Sequence, residues 1–185
     1  MAELGLESRR YFLYVSRFEP ENNPHTVAQA YRKVEGDLPL VMVGTAPYAR
    51  RFIRSFTADA DPRILFPGAI YGRGYRELLS NAFAYIHATE VGGTHPALVE
   101  AMGYGNCVVV NQTPENVEAA GGTGIPFRAE DPGSLTRALN RLLAEPDLVT
   151  ELGSKSLKHA LKTYDWDLVA DRYLRLFRDL VASDP

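Results

Sequence analysis

Short, uninterrupted apolar runs alternate along this chain with segments in which apolar residues recur at helical spacing. The runs predict strands at Tyr11–Ser16, Leu40–Val43, Arg63–Phe66, Phe83–His87, Cys107–Val110 and Ile125–Phe127. Strands that are apolar on both faces are typical of a parallel sheet that is covered by helices on both sides. The alternation therefore predicts an α/β fold, a three-layer α/β/α Rossmann-like domain.

The segments between these runs predict helices. They lie at Val27–Val34, Ala49–Phe56, Tyr75–Ala82, Pro96–Tyr104, Leu135–Leu143, Asp147–Thr163 and about residues 165–182. Tyr164 and Trp166 are interpreted as core-packing residues at the start of the terminal helix. No repeat and no linker-like stretch interrupts the pattern, which predicts a single domain over residues 1–185.

Charge and composition exclude several classes of function. The formal net charge is −3, from 20 basic and 23 acidic residues, so nucleic acid is not expected as a main partner. No apolar run is long enough to span a bilayer, and the first ten residues do not resemble a signal peptide. The single cysteine, Cys107, fits a reducing compartment, which favours a cytoplasmic protein.

In a doubly wound sheet, ligands bind beyond the carboxyl ends of the strands. The loop after the first strand lacks the glycine-rich dinucleotide fingerprint, and the chain has no P-loop motif. His25, His87, His95 and His159 have no metal-ligand spacing with Cys107 or with the acids, so no metal is expected.

The most informative segment runs from His87 to Gly105. Here a strand ends in a Gly-Gly turn, and a helix then begins at Pro96 with Glu100 one turn inside it. Exposed N–H groups at such a helix start suit a diphosphate, and a carboxylate at Glu100 could accept hydrogen bonds from ribose hydroxyls. The alternative is a glycine-rich turn before an ordinary helix, with Glu100 solvated.

Several ordered motifs resemble those of the retaining family-4 (group 1) glycosyltransferases, which have the GT-B architecture. The family signature ends in E-A-M-x-x-G, and residues 100–105 read EAMGYG. Residues 12–23 read FLYVSRFEPENN, residues 39–47 PLVMVGTAP, and residues 64–70 ILFPGAI, each of which resembles a further family element. The combination of PENN with GGT-x-P-x-L-x-E-A-M looks like a rhamnosyltransferase-like subgroup.

The resemblance implies a role for specific residues. Arg17 would clamp the diphosphate, and Glu100 would bind the ribose. The phosphate loop would contain Gly92, Gly93 and Thr94 with His95 beside it, and the backbone of Gly68, Ala69 and Ile70 would contact the base. For each of these residues a purely structural role is the alternative.

Two positions depart from the family pattern. The first acid of the family's usual pair falls at Gly92, and the usual phosphate-binding lysine falls at Asn22. Glu90 is a candidate substitute for the missing acid, although a surface charge is the simpler interpretation. Asn22 and Asn23 could contact phosphate weakly, but a helix N-terminal cap is the simpler interpretation for them.

The resemblance covers only the carboxy-terminal, donor-binding half of such an enzyme. It implies transfer of a hexosyl or deoxyhexosyl group, with retention, from a nucleoside-diphosphate sugar to an acceptor hydroxyl, without a cofactor. The chain alone would be catalytically incomplete, because an amino-terminal acceptor domain is missing. A full-length enzyme would be cytoplasmic, or peripheral to the inner face of the membrane. The alternatives are a non-catalytic nucleotide-binding or regulatory module, and a protein-interaction domain that has kept only the fold.

Overall fold

The computed structural model describes residues 1–182, which form an α/β/α sandwich. The strands are β1 (Phe12–Val15), β2 (Leu40–Val43), β3 (Ile64–Gly68), β4 (Ala84–His87), β5 (Cys107–Asn111) and β6 (Ile125–Phe127). The α-helices are α1 (Pro24–Tyr31), α2 (Arg50–Thr57), α3 (Gly72–Asn81), α4 (Pro96–Gly103), α5 (Pro114–Ala120), α6 (Pro132–Ala144), α7 (Pro146–Thr163) and α8 (Trp166–Ala182). Short 3-10 helices lie at Ala2–Leu4 and Pro20–Asn22.

The strands form one six-stranded sheet in the order β3-β2-β1-β4-β5-β6, and each recorded pairing is parallel. Successive side chains of a strand point to opposite faces. Phe12 and Tyr14 therefore pack with Val27 and Leu139 in one apolar cluster, whereas Leu13 joins the cluster on the other face. The predicted three-layer Rossmann-like fold is confirmed.

Both edge strands of the sheet contain a proline, Pro67 in β3 and Pro126 in β6. Proline has no N–H to donate to a neighbouring strand, so it is tolerated at edges and at bulges. Pro67 lies at such an irregularity, because the register between β2 and β3 shifts between Val41 and Val43.

The structure contains one α-helix that apolar periodicity does not predict. Helix α5 has seven residues, and its Val117 is 42% exposed, so it has no continuous apolar stripe. The side chain of Thr113 accepts a hydrogen bond from the Asn116 N–H at 3.3 Å and caps its first turn.

Helix α8 lies where the sequence predicts it, but it does not contribute to the core. None of its described residues is buried, and the exposed fraction of Trp166 is 83%. The interpretation of Trp166 as a core residue is therefore wrong. Tyr164 is partly buried: its ring packs against that of His159, with a centroid distance of 5.9 Å, and its hydroxyl donates to the Ala119 carbonyl at 3.3 Å. Within residues 1–182, no helix combines the length and apolar character needed to cross a bilayer.

Candidate functional site

A crevice opens beyond the carboxyl ends of β1 and β4, the two neighbouring strands at the centre of the sheet. After β1 the chain passes to α1, whose apolar residues pack on one face, and after β4 it passes to α4, which packs on the other. The loops that follow the two strands therefore diverge and leave a space between them. This is the topological switch point at which doubly wound sheets bind their ligands.

Two adjoining cavities occupy this crevice. The His87 cavity, of about 300 Å³, is lined by residues that include Glu19, His87 and His95. The Ile70 cavity, of about 220 Å³, is lined by residues that include Thr45 and Ile70. Their shared lining residues are Val15, Ser16, Arg17 and Ala97. A ligand with two parts could therefore occupy both cavities with its middle beside Arg17.

The loop after β1 supplies a basic and an acidic group at this junction. The side chain of Arg17 is 73% exposed, and its Nη2 lies 3.3 Å from Oε2 of Glu19. The Tyr48 hydroxyl, from the loop after β2, donates a hydrogen bond to Oε1 of the same carboxylate. This contact raises the pKa of Tyr48, because the neighbouring negative charge disfavours the phenolate. Glu19 thus joins the two loops and holds the guanidinium of Arg17.

The loops after β1 and β2 approach each other closely at Gly44. A Cβ at this position would lie 1.8 Å from the Ser16 carbonyl oxygen, and the residue has φ of +153°. Only glycine fits a position with both constraints. The close contact fixes the wall of the Ile70 cavity, which both Ser16 and Gly44 line.

The Gly-Gly turn after β4 stands at the rim of the crevice. Gly92 has φ of +124°, and a Cβ there would lie 3.0 Å from Cε1 of His95. The amides of Gly92, Gly93 and Thr94 donate no hydrogen bond within the described part of the chain, and these residues are exposed. Such free N–H groups are suited to an anion. The residues that line the His87 cavity from this segment are Thr89, Val91, His95, Pro96 and Ala97.

His87, at the end of β4, is a buried polar residue of the crevice. Its exposed fraction is 4%, and its Nε2 has no hydrogen-bond partner among the described residues. Its ring contacts those of Tyr85 and His95, with centroid distances of 6.5 Å and 4.8 Å. Burial, together with the nearby His95, lowers the pKa of His87 to about 3, so the imidazole is neutral at pH 7.

Glu100 lies one turn inside α4 and is exposed. Its Oε2 accepts a hydrogen bond of 2.7 Å from the hydroxyl of Tyr75, a residue of α3. Burial raises the pKa of Tyr75, and the bond to Glu100 raises it further, so Tyr75 remains a donor at neutral pH. The carboxylate is therefore held in place with Oε1 uncommitted in the described structure.

Asn22 and Asn23 are committed to the framework of the crevice. The amide of Asn22 donates to the Arg17 carbonyl at 2.9 Å, and its Oδ1 accepts from the Thr89 hydroxyl at 3.1 Å. Asn23 occupies the N-cap position of α1, but its side chain donates to the Ala88 carbonyl and makes no capping bond. The predicted N-terminal cap is therefore confirmed in position for Asn23, without a side-chain capping bond, and it is wrong for Asn22. Both residues are buried, and they join the loop after β1 to the loop after β4.

A family model described as glycosyl transferases group 1 matches residues 9–145. The chain belongs to the group 1 glycosyl transferases. A search of the curated proteins gave no match.

Solved structures share this fold over most of the chain. HepE from Anabaena, in complex with UDP and glucose, is similar with a TM-score of 0.84 and 15% identity over 96% of this chain and 50% of HepE. The sucrose-phosphate synthase of Thermosynechococcus elongatus has a TM-score of 0.85 and 22% identity, over 99% of this chain and 48% of the synthase. The chain thus spans about half the length of these structures. The catalytic domain of cholesterol-α-glucosyltransferase from Helicobacter pylori has a TM-score of 0.70 and 19% identity, over 83% of this chain and 98% of that chain.

The site residues predicted from the sequence differ in whether they line the two cavities. Arg17 stands at the junction of the cavities, His95 lines the His87 cavity, and Ala69 and Ile70 line the Ile70 cavity. Gly68 ends β3, where its carbonyl accepts from the Gly44 N–H at 3.0 Å. Gly92, Gly93, Thr94 and Glu100 lie outside both sets of lining residues, as does the exposed Glu90. The assignment of these residues to ligand contacts stays a prediction.

Sequence reasoning missed Glu19, Tyr48 and Tyr75. The signal for Glu19 was present, because an acid two residues after Arg17 lies in the same strand-end loop. Tyr48 and Tyr75 gave no such signal, since their contacts join elements that are distant in sequence. Among residues 1–182, no group of three or more His, Cys, Asp or Glu side chains is arranged to hold a metal ion. The expected absence of metals and cofactors stays a prediction.

Proposed function

We propose that this chain is the donor-binding domain of a retaining glycosyltransferase, which moves a hexosyl or deoxyhexosyl group from a nucleoside-diphosphate sugar to an acceptor hydroxyl. The observation that carries the proposal is the pair of cavities that meet at Arg17. A nucleotide sugar has a flat base on a ribose, then an anionic diphosphate and a polar sugar. This order matches the Ile70 cavity, the Arg17 guanidinium and the His87 cavity.

The proposed chemistry is stabilisation of the departing diphosphate. Negative charge develops on the phosphate oxygens as the glycosidic bond to the donor breaks. Arg17 can pair two oxygens with its fork of N–H donors, and the free amides at Gly92, Gly93 and Thr94 can donate to others. With these groups the chain's own residues could neutralise the leaving group, and we propose that no cofactor takes part.

An acceptor domain completes the proposed enzyme. HepE, with UDP and glucose in its structure, is about twice as long as this chain, which supports a missing amino-terminal half. We infer that this half binds the acceptor over the open crevice. The rhamnosyltransferase-like subgroup, and a cytoplasmic site with peripheral association at the inner face of a membrane, remain parts of this proposal.

Titration calorimetry with UDP, dTDP, GDP and ADP, each with and without EDTA, tests the proposal. At least one nucleotide should bind, with an affinity that EDTA leaves unchanged. Arg17→Gln should weaken binding by about 1.5–3 kcal/mol, the range for hydrogen bonds to charged groups. Arg10→Gln is the matched control. Arg10 precedes β1, so it lies at the amino-terminal end of the strand, away from the crevice, where it pairs with Asp37. Absence of heat with all four nucleotides contradicts the proposal.

A non-catalytic nucleotide-binding module is the second candidate. Two replacements favour it, because Gly92 and Asn22 stand where the family has an acid and a lysine. In addition, the side chain of Asn22 is already hydrogen-bonded to Arg17 and Thr89. Nucleotide binding is expected for both candidate functions, so it does not distinguish them. Sugar transfer by a protein that also carries an acceptor domain supports the transferase and contradicts the second candidate.

A further inference from the structure

The wall of the His87 cavity formed by the loop after β1 is acidic. Glu19 and Glu21 both line this cavity. The exposed fraction of Glu19 is 9%, and its two carboxylate oxygens face the Tyr48 hydroxyl and, at 3.3 Å, Nη2 of Arg17. When Arg17 turns to a bound diphosphate, Oε2 of Glu19 loses this partner, and a ligand hydroxyl that donates to it would recover the free energy lost. This wall is therefore suited to O–H donors.

The opposite wall adds polarity without positive charge. His87 lines the cavity with a buried Nε2 that has no described partner. Because burial keeps this imidazole neutral at pH 7, it offers a hydrogen bond but does not balance the two carboxylates. Arg17 is the cation among the lining residues, and it lies at the boundary with the Ile70 cavity, where Glu19 already pairs with it.

We propose that the His87 cavity binds the sugar of the donor and selects a neutral sugar over one that carries a carboxylate. This inference rests on the proposed function and adds the class of sugar to it. The hydroxyls of a neutral sugar can donate to Glu19 and to the other acceptors of the cavity. The carboxylate of a uronic acid would instead meet Glu19 and Glu21 at close range, with Arg17 engaged by the diphosphate. Like charges brought together in this way disfavour the wrong ligand.

Calorimetry with UDP, UDP-glucose and UDP-glucuronate at low salt tests this selection on the 185-residue chain. UDP-glucose should bind at least as tightly as UDP, whereas UDP-glucuronate should bind about tenfold more weakly or worse. The difference should narrow as salt is added, because salt screens the repulsion.

Two variants identify the source of the selection. Glu19→Gln keeps the size of the side chain and an acceptor for the Tyr48 hydroxyl, and it should reduce the preference to roughly threefold or less. Glu21→Gln changes an exposed residue, cannot disturb the core, and should reduce the preference in part. Glu7→Gln is the control, because this exposed acid precedes β1 and makes the same change in net charge. It should leave the preference intact.

The outcomes separate this inference from the proposed function. If UDP does not bind, the UDP-dependent form of the proposed function fails, and the selection fails with it. If UDP binds but UDP-glucose and UDP-glucuronate bind equally, only the selection is overturned. A preference that persists unchanged in both cavity variants also overturns the role of the two carboxylates.

Discussion

Gly44 shows how little space separates the loops that build the crevice. Its missing Cβ would lie 1.8 Å from the Ser16 carbonyl oxygen. Gly44→Ala should therefore destabilise the fold by at least about 2 kcal/mol, through steric overlap and a strained φ. Gly103→Ala is the control, because nothing lies within 4 Å of the Cβ it would add. Urea unfolding of both variants measures the difference, and equal stabilities would contradict this explanation.

The contact between Tyr75 and Glu100 leads to a second prediction about single residues. If Glu100 binds ribose hydroxyls, Glu100→Gln should weaken nucleotide binding by about 1–3 kcal/mol. Tyr75→Phe removes the donor that orients the carboxylate and should weaken binding by about 0.5–1.5 kcal/mol. Calorimetry with the nucleotide and melting temperatures of both variants check this. Unchanged affinity with Gln at position 100 would exclude the ribose contact, and a collapse in melting temperature would favour a structural role.

His87 makes the stability of the fold dependent on pH. Its pKa is about 3 when folded, below the unfolded value of 6.5, so its contribution is complete above pH 6.5 and declines as the pH falls towards 3. Between pH 7 and pH 5 the loss should be roughly 2 kcal/mol. His87→Gln should remove this part of the decline, and His25 and His95, whose pKa values burial also lowers, should leave a residual slope. Urea unfolding at both pH values tests this, and an identical decline in the variant would contradict it.

At the scale of elements, α8 differs from every helix that covers the sheet. Since none of its described residues is buried, removal of residues 166–185 should change the free energy of unfolding by about 1 kcal/mol or less. Removal of α7 as well is the contrasting control, because Val149, Ser156 and Ala160 of α7 are buried. That longer deletion should unfold the chain. Circular dichroism during urea titration measures both, and a large loss on the first deletion would show that α8 stabilises the domain.

Periodicity predicted the elements whose apolar faces are buried. It located β6 at Ile125–Phe127 and the helix that begins at Pro96, because burial of each of these segments leaves a pattern in the sequence. It missed α5, which places only Ala119 and Ala120 in the apolar core and whose first turn is capped by Thr113. The same periodicity predicted α8 but could not reveal that none of its described apolar residues is buried, since amphipathicity specifies a face and not what covers it.

The candidate site was predictable only in part, for a similar reason. Arg17 and the turn at Gly92 are local features of strand-end loops, so the sequence shows them directly. The placement of Tyr48 against Glu19, and of Tyr75 against Glu100, depends on how separate loops and helices meet in space. Neither contact has a fixed spacing in the sequence from which it could be predicted.

At the scale of the whole molecule, the open crevice predicts that the chain alone does not transfer sugar. Arg17 and the turn from Gly92 to Thr94 are exposed, so a bound donor would face water on one side. Transferases need the acceptor oriented and water excluded. Incubation with nucleotide sugars and candidate acceptor alcohols, followed by chromatography, should therefore give no glycoside. Acceptor-dependent product from this chain alone would overturn the half-enzyme interpretation.

The prolines of the edge strands have a consequence for how this domain behaves at high concentration. An unprotected edge of a sheet can recruit a strand from another molecule, which starts ordered aggregation. Pro67 and Pro126 each remove one N–H from an edge strand, and β6 has only three residues. Neither edge therefore offers a continuous template for a further strand. In concentrated solutions, this domain should therefore not form cross-β fibrils by adding strands at the edges of its sheet.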